Sequence, residues 1–450
     1  MTLWSGRFSE GPSDVLWRYT ASDTDRRLLD VDIEGSLAHV GMLADVGLLS
    51  PEEHDRISEG LHQLLADARD GTFEFLETDE DVHSAVERSL IELVGDVGRK
   101  LHTGRSRNDQ IALDIRLYLR RAGGDRREQL AQFAGTMIEL AQEHADVVVP
   151  SYTHMQQAQA ISLGHHLLAY AWMAVRDRAR FEDLDRRLAV SPLGASASGG
   201  SSLPLDPFNS ARRLGFDVVF ANSMDAVASR DLVAEYVFCC TQSMIHLSRL
   251  AEELILWATS EFGWVTFEDS LTTGSSALPQ KKNPDIAELA RGRAAGSIGD
   301  LTSIMALQKA LPLAYNRDLQ EDKEYVFRAD DTLAGSLEAL TALISSADFD
   351  PPIPSSWTTA LDLAEALVMR EVPFREAHEA VGRLVAALAS DGRTLEEATA
   401  DDLVAADPRF SEADVSLTDP MTSIDRRTTS GGGSQASVAA QITALRSLLA

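Results

Sequence analysis

The sequence predicts an all-α fold organised around long bundled helices. Three observations carry this. Apolar residues recur at helical spacing over most of the chain. Four stretches hold that period far longer than an ordinary globular helix. Alternating strand patterns are nearly absent. At 450 residues the chain exceeds one ordinary core, which predicts two or three domains or one elongated helical body.

The elements follow in order. Ser50-Pro51-Glu52-Glu53 reads as a capping box with proline at the first helical position. It opens a run with Ile57, Leu61, Leu64 and Leu65 on one face. Val82, Val86, Leu90 and Leu93 repeat the period, as do Ile111, Ile115, Tyr118 and Leu119. Leu163, Leu167, Tyr170, Ala174 and Phe181 predict a helix over about 161–188, and Val233, Val237, Met244, Leu247, Leu254 and Trp257 another over about 230–262. A third starts at Pro284 and runs towards Ala310, and a fourth covers about 319–345. Helices of this length joined by short polar breaks imply a bundle. The breaks are the Ser/Gly/Pro-rich 191–207, the loop 268–284, and 348–356, where Pro351, Pro352 and Pro354 mark a domain boundary. Shorter helices and a glycine turn at 431–433 follow. The apolar faces are broader than one monomer's bundle needs, which predicts an oligomer.

Composition narrows the function classes. Against 41 basic residues stand 70 acidic ones, a formal net charge of −29. That field repels a phosphate backbone and an anionic membrane surface, so no nucleic-acid or membrane partner is expected. No apolar run approaches the roughly 18 residues that span a bilayer. Residues 1–10 lack a basic segment followed by an apolar one, so no export signal is read. Cys239 and Cys240 are neighbours in an apolar stretch and should be buried and reduced, as in a cytoplasmic protein. The acid excess and the scarcity of lysine predict a salt-rich cytoplasm, where a Debye length of about 3 Å at 1 M salt makes self-repulsion tolerable. A GC-rich genome explains the lost lysines but not the charge. Lys281, Lys282 and Lys323 survive in the two densest polar segments, which asks for a chemical reason.

Four segments carry chemistry. In the first, residues 274–285, Gly274, Ser275 and Ser276 open a loop, Asn283 can cap the following helix, and Pro284 and Asp285 suit its first turn. A helix N-terminus beside Lys281 and Lys282 suits an anion, and a desolvated serine in such a loop could act as nucleophile or base. The bland reading is an ordinary Gly/Ser loop, but serine, lysine and cap coincide here. In the second, Thr103-Gly104-Arg105-Ser106-Arg107-Asn108-Asp109, arginine forks flank a Ser/Asn pair suited to carboxylates. In the third, Ser151-Tyr152-Thr153-His154, the histidine could serve as an acid/base, although a lone histidine is more often structural. The fourth, Tyr315 to Glu324, is dense in charge and starts a helix. No His/Cys/carboxylate set has ligand spacing and no glycine-rich fingerprint follows a strand, so neither a metal nor a cofactor is expected.

Together these segments resemble the fumarase/aspartase superfamily of lyases and, within it, the argininosuccinate lyase family. The Ser275 loop is similar to the superfamily signature Gly-Ser-Ser-any-Met-Pro-any-Lys-any-Asn. Thr103 to Asp109 looks like the argininosuccinate lyase version rather than that of fumarases or aspartases. Asp79-Glu80-Asp81-Val82-His83, Asn222-Ser223-Met224-Asp225, Leu319 to Glu324 and Trp4-Ser5-Gly6-Arg7-Phe8 also match. Departures are Leu278 at the usual methionine, a volume-conserving change, Ala160 at a usual proline, and a 22–25 segment one residue short.

The resemblance implies a three-domain fumarase/aspartase-like fold: an N-terminal helical domain 1–104, a central long-helix bundle with the catalytic loop 105–356, and a small helical domain 357–450. It implies a homotetramer whose sites combine segments of three subunits, and cleavage of argininosuccinate to arginine and fumarate. By motif match, Ser275 would be the base and Lys281 would stabilise the aci-carboxylate. Asn283 would hold the dicarboxylate end, and Glu288 would orient His154 on the acid side. His154 would protonate the leaving group itself or through water or another residue. Thr153, Ser106, Arg107 and Asn108 would grip the succinyl carboxylates. Tyr315, Gln320, Lys323, Asp81, His83, Ser22 and Asp25 would complete the pocket, with Arg230 as a neighbour. A sibling lyase is disfavoured by the form of 103–109. A purely structural role, as some relatives have in the lens, is disfavoured by the intact Ser275, Lys281, His154 and Glu288.

Overall fold

The structure, a computed structural model, describes residues 11–450. The Trp4 to Phe8 motif lies outside the described residues. In chain order the helices are α1 (Asp14–Thr20), α2 (Leu29–Asp45), α3 (Pro51–Arg69), α4 (Val82–Val94), α5 (Arg107–Glu143), α6 (Leu163–Leu188), α7 (Pro207–Arg213), α8 (Ser223–Ala228), α9 (Asp231–Trp257), α10 (Asp285–Gln308), α11 (Asp322–Ser345), α12 (Ala360–Val368), α13 (Phe374–Ser390), α14 (Ala400–Ala406), α15 (Pro420–Ser423) and α16 (Gln435–Leu449). The strands are short: β1 (Val148–Thr153), β2 (Gln156–Ser162), β3 (Val190–Ser191), β4 (Val218–Val219), β5 (Val265–Thr266), β6 (Thr273–Gly274), β7 (Lys282–Asn283) and β8 (Asp348–Phe349). They form four two-stranded sheets, of which only β3–β4 is parallel. The all-α expectation holds, and the four long periodic stretches are α6, α9, α10 and α11. Among the described residues no helix is long and apolar enough to cross a membrane.

The chain forms two compact units. The first comprises Met1–Arg127, Ala179–Gln242 and Ala295–Leu333. Here α2, α3 and α4 close over Ile33, Leu43, Ile57, Leu61, Leu90 and Leu101, each at most 1% exposed. Burying one such side chain contributes about 2 kcal/mol, so this shared core stabilises the helices more than their intrinsic propensities do. The expected capping box is present: Ser50 Oγ accepts from the Glu53 amide at 3.2 Å, and the Glu53 carboxylate accepts from the Ser50 amide at 3.1 Å. Helix α4 starts on Asp81, whose carboxylate accepts from the Ser84 amide at 2.8 Å. A Cβ at Gly60 would stand 2.7 Å from Leu90 Cδ1, so α3 and α4 approach this closely only with glycine there.

The second unit comprises Glu128–Arg178, Ser243–Ala294 and Ala334–Ala450. Its C-terminal part packs α12, α13 and α14 around Leu363, Leu367, Leu384, Leu388, Leu395 and Leu403. The hairpin β1–β2 is the element that periodicity did not predict. Thr153 pairs with Gln156, leaving His154 and Met155 as a two-residue turn with φ of 53° and 59°. Both residues are left-handed, as a primed hairpin turn requires. The usual glycine or asparagine signal is missing, β1 opens with three buried residues rather than an alternation, and β2 is glutamine-rich. The helix expected over 230–262 ends at Trp257. The chain turns back at Gly263, with φ of 60°, to enter β5.

Candidate active site

The second unit holds the serine loop and the histidine turn. Thr273 pairs with Asn283 and Gly274 with Lys282, so residues 275–281 form the end of a hairpin. Ser275 is half-buried, and its Oγ accepts from the backbone amides of Leu278 at 3.1 Å and Ala277 at 3.3 Å. Two N–H donors aimed at one oxygen stabilise negative charge on it. Lys281 is exposed, and among the described residues its ammonium has no hydrogen-bond or ion-pair partner. Its neighbour Lys282 is committed to Asp269. Asn283 does not cap α10: its amide donates to Thr273 Oγ1 at 3.4 Å, while the Thr273 hydroxyl donates to Asp285. The strand register makes Thr273 and Asn283 cross-strand neighbours, a pairing that overrides the local cap.

Thr153 and His154 are exposed at the β1–β2 turn, and Glu288 is exposed on the first turn of α10. No hydrogen bond joins His154 to Glu288 among the described residues. Cys239 and Cys240 are both buried and form no disulfide, as expected.

The first unit gathers the remaining residues into two connected groups. In one, Arg107 Nη1 donates to Asp81 at 2.7 Å and to Glu80 at 3.3 Å. Arg317 binds Glu80 at 3.1 Å and the Thr20 carbonyl at 2.7 Å, and Gln320 reaches the same carbonyl at 3.4 Å. The Ser22 amide donates to the Glu80 carbonyl at 3.4 Å. Beneath them His83 Nδ1 lies 2.8 Å from Asp32 and 3.6 Å from Asp114. Burial opposes a charge on His83, but the Asp32 carboxylate, helped by Asp81 and Asp25, raises its pKa above the ordinary value. Asp25 is buried, with one carboxylate oxygen lacking a partner, and burial pushes its pKa up to about 6.

Lys323, 3% exposed, donates to Asp322 Oδ1 at 2.9 Å, and Arg230 Nε donates to the other oxygen at 2.5 Å. Burial alone would raise the Asp322 carboxyl, but Lys323 and Arg230 hold it below the usual range. In the other group Asn108 Nδ2 donates to the Ala197 carbonyl at 3.0 Å, its amide donates to Ser106 Oγ at 3.2 Å, and Ser223 donates to the Ser198 carbonyl at 2.7 Å. Buried Asp109 accepts from the amides of Ser196 at 2.8 Å and Gly194 at 3.0 Å. Tyr315 packs on Ala195, Ala226 and Val227 beside the same loop. The 191–207 break is therefore a shaped loop held by the Thr103–Asp109 motif.

Sequence reasoning missed Asp32 and Asp114, and assigned no role to Glu80, Asp109 and Asp322 within the motifs it quoted. The available signal was carboxylates inside apolar runs, such as Asp32 between Val31 and Ile33. Among the described residues, Asp32, His83 and Asp114 are close enough to share a cation, their ligand atoms lying within 4.8 Å. The 2.8 Å His83–Asp32 contact is a hydrogen bond, and buried Arg105 supplies positive charge beside it.

The family models that match the chain describe lyases. The family described as "Lyase" matches residues 6–299, and that described as "Argininosuccinate lyase C-terminal" matches residues 357–425. Among solved structures, an EDDS lyase in complex with formate is 30% identical with a TM-score of 0.82, covering 96% of this chain and 88% of its own. A class II fumarase from Schistosoma mansoni, 15% identical with a TM-score of 0.76 over 91% of this chain and 92% of its own, shares the fold. Fold and motifs thus define a lyase of the fumarase/aspartase type. Full-length relatives narrow this further. The argininosuccinate lyase of Desulfovibrio desulfuricans is 44% identical over 99% of this chain and 97% of its own, and that of Frankia casuarinae 46% identical over 100% and 98%. The chain belongs to the argininosuccinate lyase family.

Proposed function

We propose that the protein reversibly cleaves argininosuccinate to L-arginine and fumarate. The observation that carries the chemistry is the Ser275 oxygen, held by two backbone amides on a loop that also bears the Lys281 ammonium, unpaired among the described residues. Abstraction of a proton beside a carboxylate is unfavourable unless the developing charge is met. Ser275 Oγ, as alkoxide, takes the proton from the succinyl carbon. Lys281 faces the negative charge that builds on the adjacent carboxylate, and Asn283 holds the dicarboxylate end. The C–N bond then breaks, a C=C bond forms in fumarate, and the guanidino nitrogen receives a proton from the His154 side, with Glu288 orienting that histidine. Thr153, Ser106, Arg107 and Asn108 grip the succinyl carboxylates. Tyr315, Gln320, Lys323, Asp81, His83, Ser22 and Asp25 receive the rest of the substrate.

The assembly that fits this reading is a cytoplasmic homotetramer with shared sites. Exposed apolar side chains support an oligomer: Leu289 is 55% exposed, Ile298 48% and Met305 62% on α10. The buried cysteine pair, without a disulfide, fits a reducing compartment. The domains proposed are 1–104, 105–356 and 357–450.

The test is fumarate release from argininosuccinate, followed by ultraviolet absorbance. Wild-type protein turns over. Ser275→Ala retains its helical signal and assembly state but not its turnover. Near-normal turnover in that variant overturns the serine's role.

A further inference from the structure

A cavity of about 820 Å³ opens in the first compact unit, on the side of α2 away from the His83 cluster. Asp32, Ser36 and His39 of α2 face His83, Arg105 and the Thr103 carbonyl. Glu34, Leu37, Ala38 and Gly41 of the same helix line the cavity instead. Converging on it are Arg120, Arg121, Arg127, Arg213, His54 and His62, a concentration of basic groups in a chain of net charge −29.

The guanidinium groups are fixed in place. Arg120 donates to Asp185 at 3.1 Å and to the Gly215 carbonyl at 2.9 Å, and lies 5.2 Å from the centre of the Phe216 ring. Arg213 donates from Nε to Asn209 at 2.8 Å and from Nη2 to Asp45 at 2.6 Å. A Cβ at Gly41 would stand 2.7 Å from Arg213 Nη1, so glycine is what lets this guanidinium lie against the helix. Arg121 is paired with Glu34. Arg127 is half-buried and has no hydrogen-bond or ion-pair partner among the described residues. Each guanidinium carries five N–H donors. The contacts above leave Arg120 Nη2, Arg213 Nη1 and the whole Arg127 fork for an outside acceptor. Four arginines against Glu34, Asp45 and Asp185 leave the cavity positive, and its volume is that of a small-molecule site.

We propose that this cavity is a second ligand site, for a small polyanion carrying two or more carboxylate or phosphate groups. Planar forks of this kind pair bidentately with either oxyanion. Arg127 is the principal ligand, because its charge is otherwise uncompensated, and Arg213 is the second.

The test is calorimetric titration of the full chain at constant ionic strength with pyrophosphate and, separately, citrate. Sodium chloride serves as the screening control. The two probes separate a phosphate from a carboxylate preference. Expected is one saturable site per chain for at least one probe, at least tenfold weaker in Arg127→Gln and in Arg213→Gln and unchanged in Ser275→Ala. Argininosuccinate turnover without the probe stays at the wild-type level in Arg127→Gln, so failure here is distinguishable from failure of the lyase reading. Arg127 has no partner to lose among the described residues, so Arg127→Gln decides the matter if Arg213→Gln fails to fold. No saturable binding of either probe, or equal affinity in wild type and Arg127→Gln, overturns the site.

Discussion

Replacing Asp25 by asparagine tests the electrostatics of the first cluster. The carboxyl is 5% exposed, and burial pushes its pKa from 3.8 up to about 6, Asp81 adding to the rise while His83 and Lys323 oppose it. A carboxyl with a higher pKa in the folded state supports the fold below about pH 4 and loses that contribution as pH rises through 6. The interval is about two pH units, each worth about 1.4 kcal/mol, so the ionised carboxylate costs the fold about 3 kcal/mol at pH 7.5. Asparagine keeps the shape and carries no charge. Asp25→Asn is therefore expected to exceed the parent in stability by up to about 3 kcal/mol at pH 7.5 and by about half of that at pH 5. Urea midpoints followed by circular dichroism at the two pH values measure the gap. With Asp25 placed in the substrate pocket as proposed above, the same variant should also bind argininosuccinate more weakly. A gap of equal size at both pH values, or a variant less stable at pH 7.5, refutes the reasoning.

Three further outcomes are expected. His154→Asn should lower turnover about 10²-fold or more, as for a positioned acid/base. Asparagine tolerates the left-handed backbone at this position, so initial rates report the ring alone, and an unchanged rate makes the histidine structural. Asp322→Asn should destabilise by about 3–5 kcal/mol, because Arg230 and Lys323 lose their shared buried partner. Denaturant midpoints check this, and a loss below about 1 kcal/mol would mean that the cations find other partners. At Asp114, burial and then the Asp32 carboxylate push the pKa well up, so Asp114→Asn should cost under about 1 kcal/mol. Asp32→Asn should cost several times more, because it strips a charged partner from His83. Equal losses in denaturation would contradict that division of charge.

What could be read from the sequence was what is written contiguously. The Ser50 capping box needs four adjacent residues, and it forms as expected. The long helices follow from a 3.6-residue period sustained over many turns. The Ser275, Thr103–Asp109 and Leu319–Glu324 motifs each occupy one short segment. The misreadings share a cause. Asn283 has an ideal local role as a cap, but the β6–β7 register gives it a cross-strand partner instead. The β1–β2 hairpin carries neither glycine at its turn nor clean alternation in its strands.

The sequence by itself determined the helical class, the order of the motifs and the family they define, because period, caps and motif spacing are local properties of the chain. Tertiary structure alone decided which charges share the interior. His83 and Asp32 stand 51 residues apart, and Arg230 and Asp322 stand 92 apart. Their pKa values and partners arise only when folding removes water from both at once, and desolvation of a distant pair has no local pattern to announce it.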